Sequence, residues 1–154
     1  MKKVSPENIN ISVINLISDV AEKENVEIYL VGGFVRDLIL ERKSKDIDVL
    51  VIGNGIDFAN IVAKKTNERI QVFKNFGTAM LKTKDYEIEF VGARKESYNS
   101  DSRKPTIEEG SLEEDLSRRD FTINTLAISI NKKNYGEIVN LFDGINDLKR
   151  KIIK

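Results

Sequence analysis

The chain has 154 residues, of which 40% are hydrophobic and 32% are charged, and its 25 basic and 25 acidic residues give no net charge. This length suits one globular domain, and the charge balance excludes a general electrostatic attraction to nucleic acid. The sequence contains no cysteine and no histidine, which excludes disulfides, zinc sites built on those residues, thiol catalysis and imidazole bases. Any catalysis must therefore use carboxylates, lysine, arginine, hydroxyls or tyrosine.

Nothing in the sequence indicates a membrane or secreted protein. No apolar run approaches the roughly 18 residues that a membrane span requires. The N-terminus MKKVSPENIN lacks the apolar centre of a secretory signal. We therefore expect a cytoplasmic protein without membrane contact, whose RNA contacts, if it has any, come from a local patch or from another region.

Apolar periodicity and turn signals divide the first part of the chain into short elements. Ser5-Pro6-Glu7 is typical of a helix start, with a cap, a proline and an acid in the first turn. The predicted elements are a helix over 6–24, a strand over 27–31, a short helix over 34–40, a strand over 46–52, a helix over 56–66, and strands over 69–73, 77–83 and 86–91.

The second part of the chain is less regular. Residues 95–110 are polar with little periodicity, which predicts a mobile loop, and its basic residues either face phosphates or are simply solvated. The remaining predicted elements are short helices over 112–116 and 122–127, β-rich pieces over 128–130 and 137–141, and a short basic helix up to 154.

The segment YLVGGFVRDLILERKSKDIDVL, residues 29–50, carries the chemistry. Gly32-Gly33 at a strand-to-helix turn leaves backbone N–H groups open, where a phosphate can approach the main chain. Asp46 and Asp48, two positions apart on a strand, point to the same face, and two such carboxylates call for a cation of the Mg²⁺ type. Each piece also has a plain structural interpretation, as a tight turn and as a solvated strand end.

Glu89 is a candidate for a third carboxylate. In the strand over 86–91 it lies on the face opposite Phe90, and it joins Asp46 and Asp48 if the two strands are neighbours in the sheet. The alternative is that Glu87 and Glu89 face water. The sequence alone leaves both arrangements open.

Two motifs resemble a known family. GGFVRD (32–37) followed by DID (46–48) resembles the first signature of the class II tRNA nucleotidyltransferases, which are the CCA-adding enzymes, and of the bacterial poly(A) polymerases. SLEEDLSRRDFTINTLAIS (111–129) resembles their second signature, and the likeness runs from about residue 25 to the end. It implies the α+β nucleotidyltransferase fold of the DNA-polymerase-β-like superfamily, with a mixed sheet of about five strands and helices mainly on one face.

The resemblance also implies an activity: Mg²⁺-dependent transfer of CMP or AMP from CTP or ATP to the 3′ hydroxyl of an RNA, either as CCA addition to tRNA or as polyadenylation. Asp46 and Asp48 would hold the Mg²⁺ ions. Glu89 stands five positions before Arg94, as an acidic residue does in the family, and would complete the catalytic carboxylates.

Nucleotide binding would fall to residues of both signatures. Gly32 and Gly33 would present backbone donors to the phosphates. The resemblance assigns Arg36 to the same phosphates, Arg119 to the triphosphate, and Asp120 to the ribose or to orienting an arginine.

The resemblance implies that residues 1–154 form the head domain of such an enzyme, and we expect the neck, body and tail domains that read the base and hold tRNA to lie outside these residues. We therefore expect weak and unselective nucleotide binding from the head alone. Two alternatives remain: a nucleotidyltransferase for small molecules or proteins, against which the RRDFTIN segment counts, and a non-catalytic nucleotide-binding module.

Overall fold

The computed structural model describes residues 3–98 and 105–154. The helices in this part of the chain are α1 (Ser12–Glu24), α2 (Gly33–Ile39), α3 (Gly55–Thr66), α4 (Leu112–Ser117) and α5 (Gly144–Arg150). The strands are β1 (Ile28–Val31), β2 (Asp46–Val51), β3 (Ile70–Phe73), β4 (Thr78–Lys82), β5 (Glu87–Gly92), β6 (Arg94–Tyr98), β7 (Pro105–Glu109), β8 (Ala127–Ser129) and β9 (Ile138–Val139). No helix in these ranges is long and apolar enough to cross a membrane.

A mixed sheet of seven strands organises the domain, in the order β3-β4-β5-β2-β1-β8-β9. The pair β2 and β5 is parallel, and all other neighbours in this sheet are antiparallel. The α+β fold with a mixed sheet is therefore confirmed. The sheet exceeds the predicted five strands because the short tail pieces pair beside β1 as β8 and β9.

The two faces of the sheet are covered unequally. The main hydrophobic core lies on one face, where α1, α2, α3 and α5 pack against the strands. A smaller cluster lies on the other face, where Leu112 and Leu116 of α4 cover Tyr29, Val31 and Leu50. Because side chains alternate along a strand, Asp46 and Asp48 share this second face with Leu50. The helices therefore lie mainly on one face, as predicted, and the acidic residues are on the less covered one.

The N-terminal helix is shorter than predicted. Residues 6–24 do not form one helix: Pro6–Ile9 is a 3-10 turn, Ile11 is extended at φ −112°, and α1 begins at Ser12. The side chain of Asn10 accepts a hydrogen bond from Asn15 at 2.8 Å, which holds the break, and β-branched Ile11 favours an extended backbone.

The polar segment predicted as a mobile loop is a β-hairpin. Strands β6 and β7 pair antiparallel, with Arg94 opposite Glu109 and Lys95 opposite Glu108, as a two-stranded sheet of their own. Lys95 Nζ lies 3.7 Å from Glu108 Oε2. Backbone pairing and this cross-strand ion pair contribute to the hairpin, and neither requires the apolar alternation from which a strand is predicted. The basic residues Arg103 and Lys104, within the predicted loop, lie outside the described residues.

The segment after the RRD motif also differs from the prediction. A helix was expected over 122–127, but only Thr122–Asn124 forms a 3-10 turn, and the chain enters β8 at Ala127. The helix predicted over 112–116 is present as α4, and it begins with a capping box between Ser111 and Glu114.

Candidate active site

The strand register brings the three predicted carboxylates to one region. Asp48 of β2 is paired with Glu89 of β5, and Asp46 with Glu87, so these side chains point to the same face of the sheet. The condition for Glu89 to join Asp46 and Asp48 is therefore met. Asp46 is exposed at the strand end, whereas Asp48 and Glu89 are half-buried.

The electrostatics of Asp48 show an excess of negative charge. The pKa of Asp48 is raised to about 6, first by burial and then by the charge of Glu89; Arg119 lowers it, and Asp46 adds a smaller rise. The possible metal ligands, Asp46, Asp48 and Glu89, all offer carboxylate oxygens, which suit a hard divalent cation. As the side chains stand, no group of three or more Asp, Glu, His or Cys residues within residues 3–98 and 105–154 is close enough to enclose a metal ion.

Gly32 lies directly against this carboxylate. Its backbone has φ +70° and ψ −144°, a conformation that L side chains rarely adopt. A Cβ built on Gly32 would lie 3.4 Å from Asp48 Oδ2 and 3.7 Å from Arg119 Nη1. Glycine thus keeps open the space between the turn, the acidic pair and the arginine.

Arg36 is held beside the same turn. Its Nε donates to Asp37 Oδ1 at 3.1 Å, and its Nη1 donates to Asn124 Oδ1 at 3.1 Å. Its Nη2 lies 3.2 Å from the position that a Cβ on Gly33 would occupy. The α2 arginine is therefore folded back over the Gly-Gly turn, and Asp37 orients it.

Arg119 approaches the turn from the other signature. Its Nε and Nη2 both lie 3.0 Å from Asp115 Oδ1, and its Nη1 is the nitrogen that faces Gly32. Arg118 bonds the second oxygen of Asp115 from Nη2 at 3.2 Å. Asp120 is exposed, and within the described residues its carboxylate has no hydrogen bond or ion pair. The next residue, Phe121, has φ +62° and ψ 127°, a backbone conformation that non-glycine residues rarely adopt.

The chain matches a known protein family. A family model described as "Poly A polymerase head domain" matches residues 28–154, which is most of the chain. The chain belongs to this family.

Relatives of this poly(A) polymerase head domain are named tRNA nucleotidyltransferases. The "A-adding tRNA nucleotidyltransferase" of Aquifex aeolicus is 44% identical over 126 residues, which cover 82% of this chain and 15% of the relative. The enzyme of the same name from Geobacter sulfurreducens is 39% identical over 145 residues, which cover 94% of this chain and 16% of the relative.

Solved structures agree with the fold. A "tRNA-processing enzyme (apo form I)" superposes with a TM-score of 0.84 at 38% identity, covering 99% of this chain and 38% of that one. A tRNA nucleotidyltransferase "complexed with a primer tRNA and an incoming ATP analog" superposes with a TM-score of 0.79 at 40% identity, covering 90% and 38%. The head domain thus spans well under half of each of these four proteins.

Three residues near the site of this head domain were not identified as participants from the sequence. Asp115 binds both arginines of the RRD motif, Asn124 binds Arg36, and Arg94 donates its backbone N–H to Asp115 Oδ2 at 2.8 Å. A signal existed for Asp115, which stands three and four positions before Arg118 and Arg119 at the spacing of helical ion pairs. The other two depend on contacts between distant segments.

Proposed function

We propose that this domain is the catalytic head of an RNA nucleotidyltransferase, which transfers AMP or CMP from ATP or CTP to the 3′ hydroxyl of a tRNA. One observation carries the proposal: Asp48, Gly32 and Arg119, from three separate segments, meet within van der Waals distance of one point. Family membership and the names of the relatives support the same chemistry. A cytoplasmic location is part of the proposal.

Asp46 and Asp48 are proposed to hold Mg²⁺, with Glu89 as the third carboxylate. When bound, the ions would lower the pKa of the attacking hydroxyl and stabilise the charge of the leaving pyrophosphate. The raised pKa of Asp48, caused first by burial and then by the charge of Glu89, supports this, because a bound cation would stabilise the ionised carboxylate.

The remaining residues are proposed to place the triphosphate. Gly32 and Gly33 let the phosphates approach the backbone, Arg36 covers the turn, and Nη1 of Arg119 faces the same space. The hydroxyl oxygen then bonds to the α-phosphorus and its proton passes to water. Pyrophosphate leaves with the electrons of the broken P–O bond.

Asp120 remains a predicted nucleotide-binding residue. Its exposed carboxylate stands next to Arg119 and is free to accept a hydrogen bond from a ribose hydroxyl. We assign residues 1–154 to the head domain. Base selection and most tRNA contacts are assigned to the regions that the longer relatives have in addition.

Calorimetric titration of ATP and CTP, with Mg²⁺ and then with EDTA, tests the proposal. We expect both nucleotides to bind with similar affinity, and EDTA to abolish binding. Single-turnover extension of a tRNA lacking its 3′ end then tests the reaction, with an aminoglycoside as the alternative acceptor. Absence of nucleotide binding would contradict the proposal. Transfer to the aminoglycoside alone would show that the acceptor is a small molecule and not tRNA.

A further inference from the structure

Asp115 is the most buried charged residue next to the candidate site. It lies in α4 with 0% of its side chain exposed. Oδ1 accepts a hydrogen bond from Arg119 Nε at 3.0 Å and also lies 3.0 Å from Arg119 Nη2. Oδ2 accepts from the backbone N–H of Arg94 at 2.8 Å and from Arg118 Nη2 at 3.2 Å. One buried carboxylate therefore joins two segments that are 21 residues apart.

Three arginines lie around Asp115. Burial, and then the neighbouring charge of Arg118, lower the pKa of Arg94, whereas the carboxylates of Asp115 and Glu89 raise it. A buried ion pair built only for stability is readily replaced by apolar residues of similar size. A buried carboxylate that bonds two arginines, one of which faces the Gly32 turn, instead fits a site that receives an anion.

One edge of the Arg119 guanidinium group is bound to Asp115, and among the described residues Nη1 on its other edge has no hydrogen-bond partner. Asp115 takes Nε and Nη2, and the remaining nitrogen, Nη1, is the one that lies 3.7 Å from the Cβ position of Gly32. A guanidinium is planar and rigid, so fixing one edge also fixes the direction of the other. Asp115 thereby determines where Nη1 points.

We propose that Asp115 is a positioning residue for nucleotide transfer, which orients Arg119 toward the triphosphate and anchors the base of the β6–β7 hairpin beside it. It acts through Arg119 and does not itself touch the nucleotide. The proposal rests on the function proposed above, because it takes the Gly32–Asp48–Arg119 space as the triphosphate site.

A double-mutant cycle on Mg²⁺-ATP affinity tests the proposal. Asp115→Asn keeps the shape of the side chain and removes its charge, and it should weaken binding about 10- to 100-fold, the range for lost charge-assisted hydrogen bonds. Arg119→Ala should weaken binding to a similar extent. If Asp115 acts through Arg119, adding Asp115→Asn to Arg119→Ala changes the affinity little further, whereas independent, additive losses would overturn the proposal.

Asp147→Asn is the matched control. Asp147 is also buried, at 2% exposure, but its carboxylate bonds Thr122 Oγ1 at 2.5 Å and no arginine of the site. We expect this variant to lose stability and to keep its ATP affinity once folded. Equal losses of affinity in Asp147→Asn and Asp115→Asn would show a general structural effect and overturn the proposal.

Two further results need to be distinguished: a variant that does not fold, and a wild-type chain that does not bind ATP. If Asp115→Asn does not fold, Arg119→Lys replaces it, because a lysine keeps the charge but cannot bond Asp115 and reach the site together. Wild-type affinity in Arg119→Lys would overturn the positioning role. If the wild-type chain itself fails to bind ATP, the proposed function fails first; if it binds and Asp115→Asn binds equally well, only the positioning role fails.

Discussion

At the scale of single residues, Asp48 is the carboxylate of the site whose ionised form the fold disfavours. Burial in the sheet and the nearby charges of Glu89 and Asp46 disfavour its ionised form, and the pKa rises to about 6. A divalent cation bound at the proposed site would relieve this repulsion.

Asp48→Asn should stabilise the metal-free domain at neutral pH. The folded-state pKa lies above the ordinary value of 3.8, so the folded state binds the proton more tightly than the unfolded state. This contribution to the free energy of unfolding is fully present below about pH 4 and is lost as the pH rises through 6. With about 1.4 kcal/mol per pKa unit, the loss is at most ~3 kcal/mol.

Urea unfolding in EDTA at pH 4 and pH 7.5 measures this effect. Relative to the wild type, Asp48→Asn should have a higher free energy of unfolding at pH 7.5 and not at pH 4. Asp46→Asn removes only the smallest of the effects that raise the pKa of Asp48, so its change with pH should be much smaller. A stability difference that does not depend on pH would show that the pKa of Asp48 is not raised.

Asp46→Ala should abolish Mg²⁺-dependent ATP binding and change the free energy of unfolding by no more than about 0.5 kcal/mol, because an exposed strand-end carboxylate adds little to the core. Calorimetry and urea unfolding check the two halves of this prediction. Asp19→Ala removes an exposed carboxylate from α1, on the opposite face of the sheet, and should affect neither quantity by much. An unfolded Asp46→Ala, or one that binds normally, would contradict the metal assignment.

The turn between β1 and α2 is the element whose backbone matters most to the site. Gly32 adopts a conformation that only glycine takes without strain, and it does so where Asp48 and Arg119 converge. The backbone conformation is a property of Gly32 itself, whereas Asp48 and Arg119 come from distant parts of the chain. A substitution of Gly32 therefore tests the backbone conformation and the convergence of these groups together.

Gly32→Ala should cost at least ~1 kcal/mol of stability and also weaken ATP binding, since the new methyl group occupies the space that the phosphates need. Gly77→Ala is the matched control, with φ +66° but nothing within 4 Å of the added Cβ. That variant should lose stability and keep its ATP affinity. Equal affinities for the two folded variants would argue against a phosphate site at the turn.

The β6–β7 hairpin should be the least protected described strand pair. It forms a two-stranded sheet outside the main one, and two strands alone are marginal in water. Hydrogen exchange followed by mass spectrometry should show faster exchange in β6 and β7 than in β2 and β5 of the central sheet. Equal protection would mean that its anchoring at Asp115 and at Gly110, which donates to the carbonyl of Ala93, extends along the whole hairpin.

At the scale of the whole molecule, the main hydrophobic core and the candidate site lie on opposite faces of the sheet. Four helices pack on one face around the main core, and α4 covers part of the other, which leaves the β2–β5 acidic end accessible. The parallel β2–β5 pair lies at the centre of the seven strands. The carboxylates are therefore carried on the most firmly supported part of the sheet.

The domain should bind tRNA weakly by itself. Its 25 basic and 25 acidic residues leave no net charge to attract a polyanion, and it spans only 15–16% of the A-adding relatives. Fluorescence anisotropy with labelled tRNA at increasing salt should show low affinity and a shallow salt dependence, well below those of a longer relative. Affinity equal to that of the longer protein would place the main tRNA-binding surface within the head.

The sequence by itself determined most of the elements, and it predicted the residues of the site. The Gly-Gly turn, the Asp46–Asp48 pair and the RRD motif are local patterns, and apolar periodicity located α3, α4 and strands β1 to β5, because burial on one face imposes its period on the chain. Only the tertiary structure decided that β5 lies parallel beside β2, which puts Glu89 next to Asp48, and that Asp115 holds Arg119 toward Gly32. Strand order, the polar hairpin and the surroundings of a buried charge depend on contacts between residues far apart in the chain, and such contacts leave no periodic trace in the sequence.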